Sequence, residues 1–135
     1  MTLPEREHSL IERYSLIEDR HERLNAIISY RLPERQMAME ERRDEWLVQG
    51  CASQVWLKVE VTEGNVTLLY AADSVMIRGL VALLVELYHG AAIAEAETFS
   101  PQLLEELGLD RILSATRLHG LTQIIHRIQR ASHVD

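Results

Sequence analysis

Val55-Trp56-Leu57-Lys58-Val59-Glu60-Val61, then Glu63-Gly64-Asn65, then Val66-Thr67-Leu68-Leu69-Tyr70: the reading of this stretch sets the fold class. In the first run Val55, Leu57, Val59 and Val61 alternate with Trp56, Lys58 and Glu60, the period of two that gathers apolar side chains on one side of a strand. Val66, Leu68 and Tyr70 alternate with Thr67 and Leu69 in the same way, and Glu63-Gly64-Asn65 supplies a turn between the runs. The pair predicts a β-hairpin within a small antiparallel sheet whose apolar side needs a cover.

Helical patterns on both sides of the hairpin supply that cover. Downstream, Asp73 or Ser74 caps a helix through Tyr88, with Gly90 at C′. Met76, Ile77, Leu80, Val81, Leu83, Leu84, Val85 and Leu87 leave it almost no polar face, so it should run through the core. Ser100-Pro101 starts a short helix with Leu103, Leu104 and Leu107 inward and Gly108 at its end. A last helix, from about Arg117 to Ala131, carries Leu118, Leu121, Ile125 and Ile128 on one stripe.

Upstream, Leu10, Tyr14, Ile17, His21, Leu24 and Ile28 mark one face of a helical segment. Pro4 suits its first turn, and Arg31-Leu32-Pro33 ends it, because the residue before a proline is pushed out of the α region. Glu34 to Glu45 is charged without a clean apolar face; it reads as a short exposed helix or a linker, with Met37 and Met39 uninformative within it. Helix, hairpin, then helices, without βαβ alternation, is an α+β order: a small antiparallel sheet with helices packed on one face, in a single domain over residues 1–135.

The bulk properties exclude several function classes. A net charge of −7 gives no electrostatic footprint for nucleic acid. No stretch approaches the ~18–20 uninterrupted apolar residues of a membrane span; Met76 to Tyr88 is broken by Arg78 and Glu86. The first residues include Glu5 and Glu7 and no apolar signal core, so the expectation is a cytoplasmic protein whose thiol stays reduced.

There is 1 cysteine, Cys51, directly after Gly50 and just before the first strand. As structure alone, a lone cysteine is a small buried hydrophobe. As chemistry, a thiol beside a glycine at a strand entry can be carried to a loop tip. Without a C-x-x-C pair a dithiol cycle within the chain is excluded, so a reactive Cys51 would receive its cargo from a partner and give it to a partner.

The stretch Gly50-Cys51-Ala52-Ser53-Gln54-Val55-Trp56-Leu57 resembles the G-C-x-S-Q-V-W motif of SufE-type proteins, including the related CsdE branch. Arg31-Leu32-Pro33 is similar to that family's R/Q-L-P, and Asp73 with Ile77-Arg78-Gly79-Leu80 to its D-x-x-x-[IV]-[KR]-G-L helix start. Leu113-Ser114-Ala115-Thr116-Arg117-Leu118-His119-Gly120-Leu121, after the Leu107-Gly108-Leu109 turn, resembles L-S-x-x-R-x-x-G-L. The resemblance covers residues near 20 to 130. It departs at Trp46, where the family often has asparagine, at Ala52, at Ala71-Ala72, and in a slightly longer Arg31–Cys51 linker.

That resemblance implies a SufE/IscU-like fold and a sulfur carrier, with Cys51 accepting persulfide sulfur from a cysteine desulfurase of the SufS or CsdA type. It implies stimulation of that enzyme and delivery to a downstream iron–sulfur scaffold or sulfur acceptor. Pyridoxal phosphate belongs to the partner, and no cofactor is expected on this chain. Arg117 and Asp73 match motif positions and are candidates for shaping the cysteine loop or meeting the partner, with Gly50, Ser53, Gln54, Arg78 and His119.

Plainer readings stand beside these. Asp73 serves most simply as an N-cap, Arg117 as a surface or capping residue, Arg78 as structure and Trp56 as sheet-face packing. His119, His126 and His133 fall 7 apart, ~10 Å along a helix, too far for two of them to share a metal. Two other functions compete: a module that docks on a desulfurase and regulates it with Cys51 incidental, and an independent thiol hydrolase or transferase, for which no motif places a base beside Cys51. The Leu10–Ile28 stripe would also suit a weak homodimer, although packing on the sheet is the commoner use.

Overall fold

The hairpin forms as the alternation requires. The computed structural model describes residues 1–49 and 53–132, and side chains through Arg130. Strand β1, Val55–Thr62, pairs antiparallel with β2, Asn65–Ala72, in a register from Val55 opposite Ala72 to Thr62 opposite Asn65. The connecting residues are Glu63 and Gly64, with φ of 52° and 79°. Two successive positive φ values make the turn whose twist matches paired strands, which is why a glycine stands at its second position. Asn65, expected in the turn, is instead the first residue of β2.

One side of the hairpin faces the helices. Val55, Leu57, Val66, Leu68, Tyr70 and Ala72 are each at most 1% exposed. Against them lie α3, Val75–Tyr88, across β2, and α6, Ala115–Ser132, across β1. Helix α3 is buried almost all round, as its composition predicts, and ends with Gly90 at φ 81°. Between them run α4, Ile93–Ala96, which no sequence signal marked, and α5, Leu103–Glu106. The proline at 101 precedes α5 rather than opening it; buried Glu7 supplies the cap by accepting the Gln102 and Leu103 N–H groups through Oε2, at 2.5 and 3.0 Å.

The N-terminal stripe corrects an expectation. It spans two helices, α1 (Leu3–Ser15) and α2 (Arg20–Ile28), rather than one helical face. Asp19 starts the second, its Oδ1 accepting the N–H groups of His21 and Glu22. Arg23 then ties the break, donating to the carbonyls of Ile17, Glu18 and Leu107. Leu10, Tyr14 and Leu24 are buried as expected, whereas His21 is exposed.

The segment from Glu34 to Glu45 is neither an exposed helix nor a linker. It runs as a strap of 3₁₀ turns, Pro33–Arg35, Met39–Glu41 and Asp44–Trp46, over the other side of the hairpin. Met37, 4% exposed, packs with Trp56 and Ala71, and Trp46, Leu47 and Leu69 border them. Arg42 lies 4.8 Å from the Trp56 ring centroid, and Arg43 and Lys58 lie 5.5 and 4.8 Å from that of Trp46. The charges therefore cover indole rings as well as meeting solvent, which is why no helical face was visible.

The outer edge of β2 is closed by backbone from both flanks. Met37 N–H donates to Tyr70 O at 2.7 Å, Val66 N–H to Ala91 O at 2.8 Å, and Gly90 N–H to Val66 O at 2.7 Å. Leu68 N–H donates to His89 Nδ1 at 3.2 Å. A capped edge of this kind has no free ladder to offer another strand.

Candidate functional site

Gly50 and Cys51 lie outside the described residues, but both flanks of that stretch are described. On the upstream flank Val48 N–H donates to Val55 O at 2.9 Å, and Leu47 forms a bridge with Trp56. On the downstream flank Gln54 and Asp73 exchange a pair of bonds: Gln54 N–H to Asp73 Oδ1 at 3.1 Å, and Asp73 N–H to Gln54 O at 3.1 Å. The chain enters and leaves the cysteine stretch through fixed stems.

Asp73 therefore does not cap α3. Ser74 does, its Oγ accepting Ile77 N–H at 3.5 Å. A carboxylate one residue ahead of the cap is free to turn back, which frees Asp73 for Gln54. Arg78 donates through Nε and Nη2 to Ala72 O, each at 3.3 Å, joining the first turn of α3 to the end of β2.

Beside the downstream stem is a pocket of about 40 Å³ lined by Ser53, Ile77, Leu121 and Ile124, with Thr116, Arg117 and Gly120 on the side formed by α6. That volume suits a side-chain tip or a pair of waters. Its electrostatics come from the start of α6, whose aligned peptide dipoles put partial positive charge there. Ser114 caps this helix, its Oγ accepting Arg117 N–H at 3.2 Å. No acidic residue occurs from Ala115 to Ser132, and the Arg117 side chain is exposed at the pocket. An anion near Ser53 would meet a helix start and a guanidinium. His119 is exposed on α6 and does not line the pocket.

The four sequence motifs thus sort into two groups. Ser53, Gln54, Asp73, Arg117, Gly120 and Leu121 converge on the stem and pocket. Arg31-Leu32-Pro33 and Gly79 meet elsewhere, at the end of α2. Leu32 N–H donates to Tyr70 Oη at 3.2 Å, and Arg31 Nη1 to the carbonyls of Ile28 and Tyr30 at 2.7 and 2.8 Å. Burial raises the Tyr70 phenol above its ordinary range. Gly79 is where α3 touches the last carbonyls of α2: a Cβ there would collide with Ile27 O and lie 2.5 Å from Ile28 O. Gly79 sets the approach of α3 to α2, Leu32 ties the chain after α2 to β2, and none of these positions lines the pocket.

One residue at the site was missed in the sequence. Arg127 of α6 donates through Nη2 to Glu45 O at 2.9 Å and through Nη1 to Leu47 O at 3.2 Å. An arginine set between Ile125 and Ile128 of the apolar stripe gives no local sign of its distant acceptors. Among the described residues no group of three or more His, Cys, Asp or Glu could hold a metal ion, and no helix is long and apolar enough to cross a membrane.

The profile of the SufE family, described as Fe-S metabolism associated domain, matches residues 8–132. An uncharacterized SufE-like protein of Synechocystis is 29% identical over 128 residues, 95% of this chain and 80% of that protein. One from Rhizobium etli is 31% identical over 131 residues, 93% of this chain and 88% of that protein. SufE-like protein 1, chloroplastic/mitochondrial, of Arabidopsis thaliana is 37% identical over 90 residues, 65% of this chain and only 24% of that longer protein. A hypothetical protein from Thermus thermophilus, solved in solution, superposes with a TM-score of 0.77 at 18% identity, covering 98% of this chain and 96% of that one, and so shares the fold.

Proposed function

The chain belongs to the SufE family of Fe–S metabolism associated domains, and from that premise we propose that it is a sulfur carrier with Cys51 as the accepting thiol. The observation that carries this reading is the meeting of two motifs at one place. The Ser53-Gln54 stem that follows Cys51 and the Arg117 turn of α6 border the same small pocket.

The donor is the persulfide of a cysteine desulfurase, whose pyridoxal phosphate stays with that enzyme. The Cys51 thiolate attacks the outer sulfur. A bond forms between Cys51 Sγ and that sulfur, the bond to the donor cysteine breaks, and the donor leaves as a thiolate. No electrons enter from outside, and the proton lost by Cys51 goes to solvent or to the donor thiolate. An ordinary thiol, with a pKa near ~8.5, is only a few per cent ionised at neutral pH. Arg117 and the start of α6 border the pocket beside Ser53, two residues after Cys51 in sequence, and offer positive charge to a thiolate or persulfide anion brought there. The sulfur then passes to a scaffold or another acceptor for iron–sulfur assembly.

Incubation with a desulfurase and L-cysteine, followed by intact-mass spectrometry, tests this: a gain of one or more sulfur atoms on Cys51 is expected. Cys51→Ser should abolish the gain. Desulfurase stimulation that persists undiminished in Cys51→Ser, with no sulfur gain in the wild type, would replace the carrier with a regulatory docking module.

A further inference from the structure

The motif residues account for the downstream stem of the cysteine stretch and leave the upstream one unexplained. Asp73 holds Gln54; from Asp44 to Val48 no motif residue occurs. There the chain is held by Val48 on Val55, by Trp46 between Arg43 and Lys58, and by Arg127 reaching from α6. The Arg127 guanidinium spans two carbonyls, Glu45 O and Leu47 O, with two nitrogens at 2.9 and 3.2 Å. Its planar, permanently charged fork suits that task in a way that a lysine does not. Both carbonyls belong to the run that next donates Val48 N–H to Val55, so the bond to α6 fixes the last described residues before the cysteine stretch.

We propose that Arg127 is a positioning residue for Cys51, acting through the backbone of the upstream stem. It touches no reacting atom. Helix α6 then serves the site twice: its first turn borders the pocket through Arg117, and Arg127 holds the opposite stem. The relevance to sulfur transfer rests on the carrier reading above; the positioning of Cys51 does not.

A bond that merely stabilises the fold is the competing account, and the same helix supplies the control. Gln129 Nε2 donates to Phe99 O at 2.8 Å, tying α6 to a carbonyl outside both stems. The test compares Arg127→Ala, Arg127→Lys and Gln129→Ala in the full chain. Three quantities are read: thermal midpoint, the rate of Cys51 alkylation by iodoacetamide across pH, and kcat and KM for the carrier with a pyridoxal-phosphate-loaded cysteine desulfurase. Arg127→Ala should change the alkylation rate and lower kcat/KM by about tenfold, the scale of one charge-assisted bond. Arg127→Lys should recover part of both, and it keeps the comparison alive if the alanine variant does not fold. Gln129→Ala, which also removes a bond from α6, should leave both within about twofold whatever its thermal midpoint. Equal effects of Arg127→Ala and Gln129→Ala, or none on alkylation from either Arg127 variant, would overturn the proposal. Altered alkylation in a protein whose wild type takes up no sulfur would instead uphold the positioning and remove the carrier reading.

Discussion

The two sides of the hairpin are covered by different physics. On one, aliphatic residues of β1 and β2 disappear under α3 and α6, and burial of apolar area holds the layers together. On the other, a strap rich in charge is laid over Met37, Trp56 and Ala71, held by arginine and lysine over indole rings and by backbone bonds at its two ends. Cation–π contacts of this kind contribute ~0.5–2 kcal/mol each, far less than a helix layer. The strap nevertheless runs straight into the cysteine stretch. The strong side holds the fold, and the weaker side leads into the stretch of sequence that carries Cys51.

The largest effect expected from that contrast is on neighbouring positions of opposite sides. Leu57→Ala removes a fully buried side chain from the helical side and should cost about 4 kcal/mol. Met37→Ala on the strap side should cost about 2 kcal/mol, because a small border cluster collapses more readily around the gap. Denaturant titrations of the two variants measure this, and equal losses would erase the distinction. Next in size is Gly79→Ala, which forces α3 away from the Ile27 and Ile28 carbonyls and should cost about 3 kcal/mol or less. Because this contact lies on the helical side, Cys51 alkylation below the unfolding transition should stay at the wild-type rate.

The smallest expected effect concerns the edge where the two sides meet. His89 Nδ1 accepts Leu68 N–H, so the ring must be neutral at that nitrogen. Burial first, then the nearby Arg35 and Arg6 against an opposing Glu34, lowers the His89 pKa below its usual value near 6.5. The unfolded chain therefore binds this proton more readily. Its contribution to stability is complete above about pH 6.5 and is lost as the pH falls through the lowered value. Thermal midpoints across that range should fall with acidity, and His89→Gln, which keeps an acceptor without titrating there, should flatten the fall.

Much of this is legible in the amino-acid sequence. The alternation from Val55 to Tyr70 reported the hairpin because period two and half-burial are the same fact. The apolar sweep of Met76 to Leu87 reported a core helix for the same reason. The strap was illegible: its apolar contacts come from single residues in irregular 3₁₀ turns, which leave no period to detect. The break at Asp19 was hidden because α2 resumes the apolar phase of α1. Asp73 looked like a cap, since the distance to Gln54 across the hairpin is not a sequence distance.

Local periodicity, turn chemistry and a single cysteine set by themselves the α+β class, the hairpin and the thiol around which the proposed function turns. Tertiary structure alone decided which motif residues gather at the pocket, that Gly79 serves helix packing while Leu32 meets Tyr70 of β2, and that Arg127 holds the second stem. Sequence patterns record which face of an element is buried; what a polar side chain meets depends on chain brought back from 80 residues away.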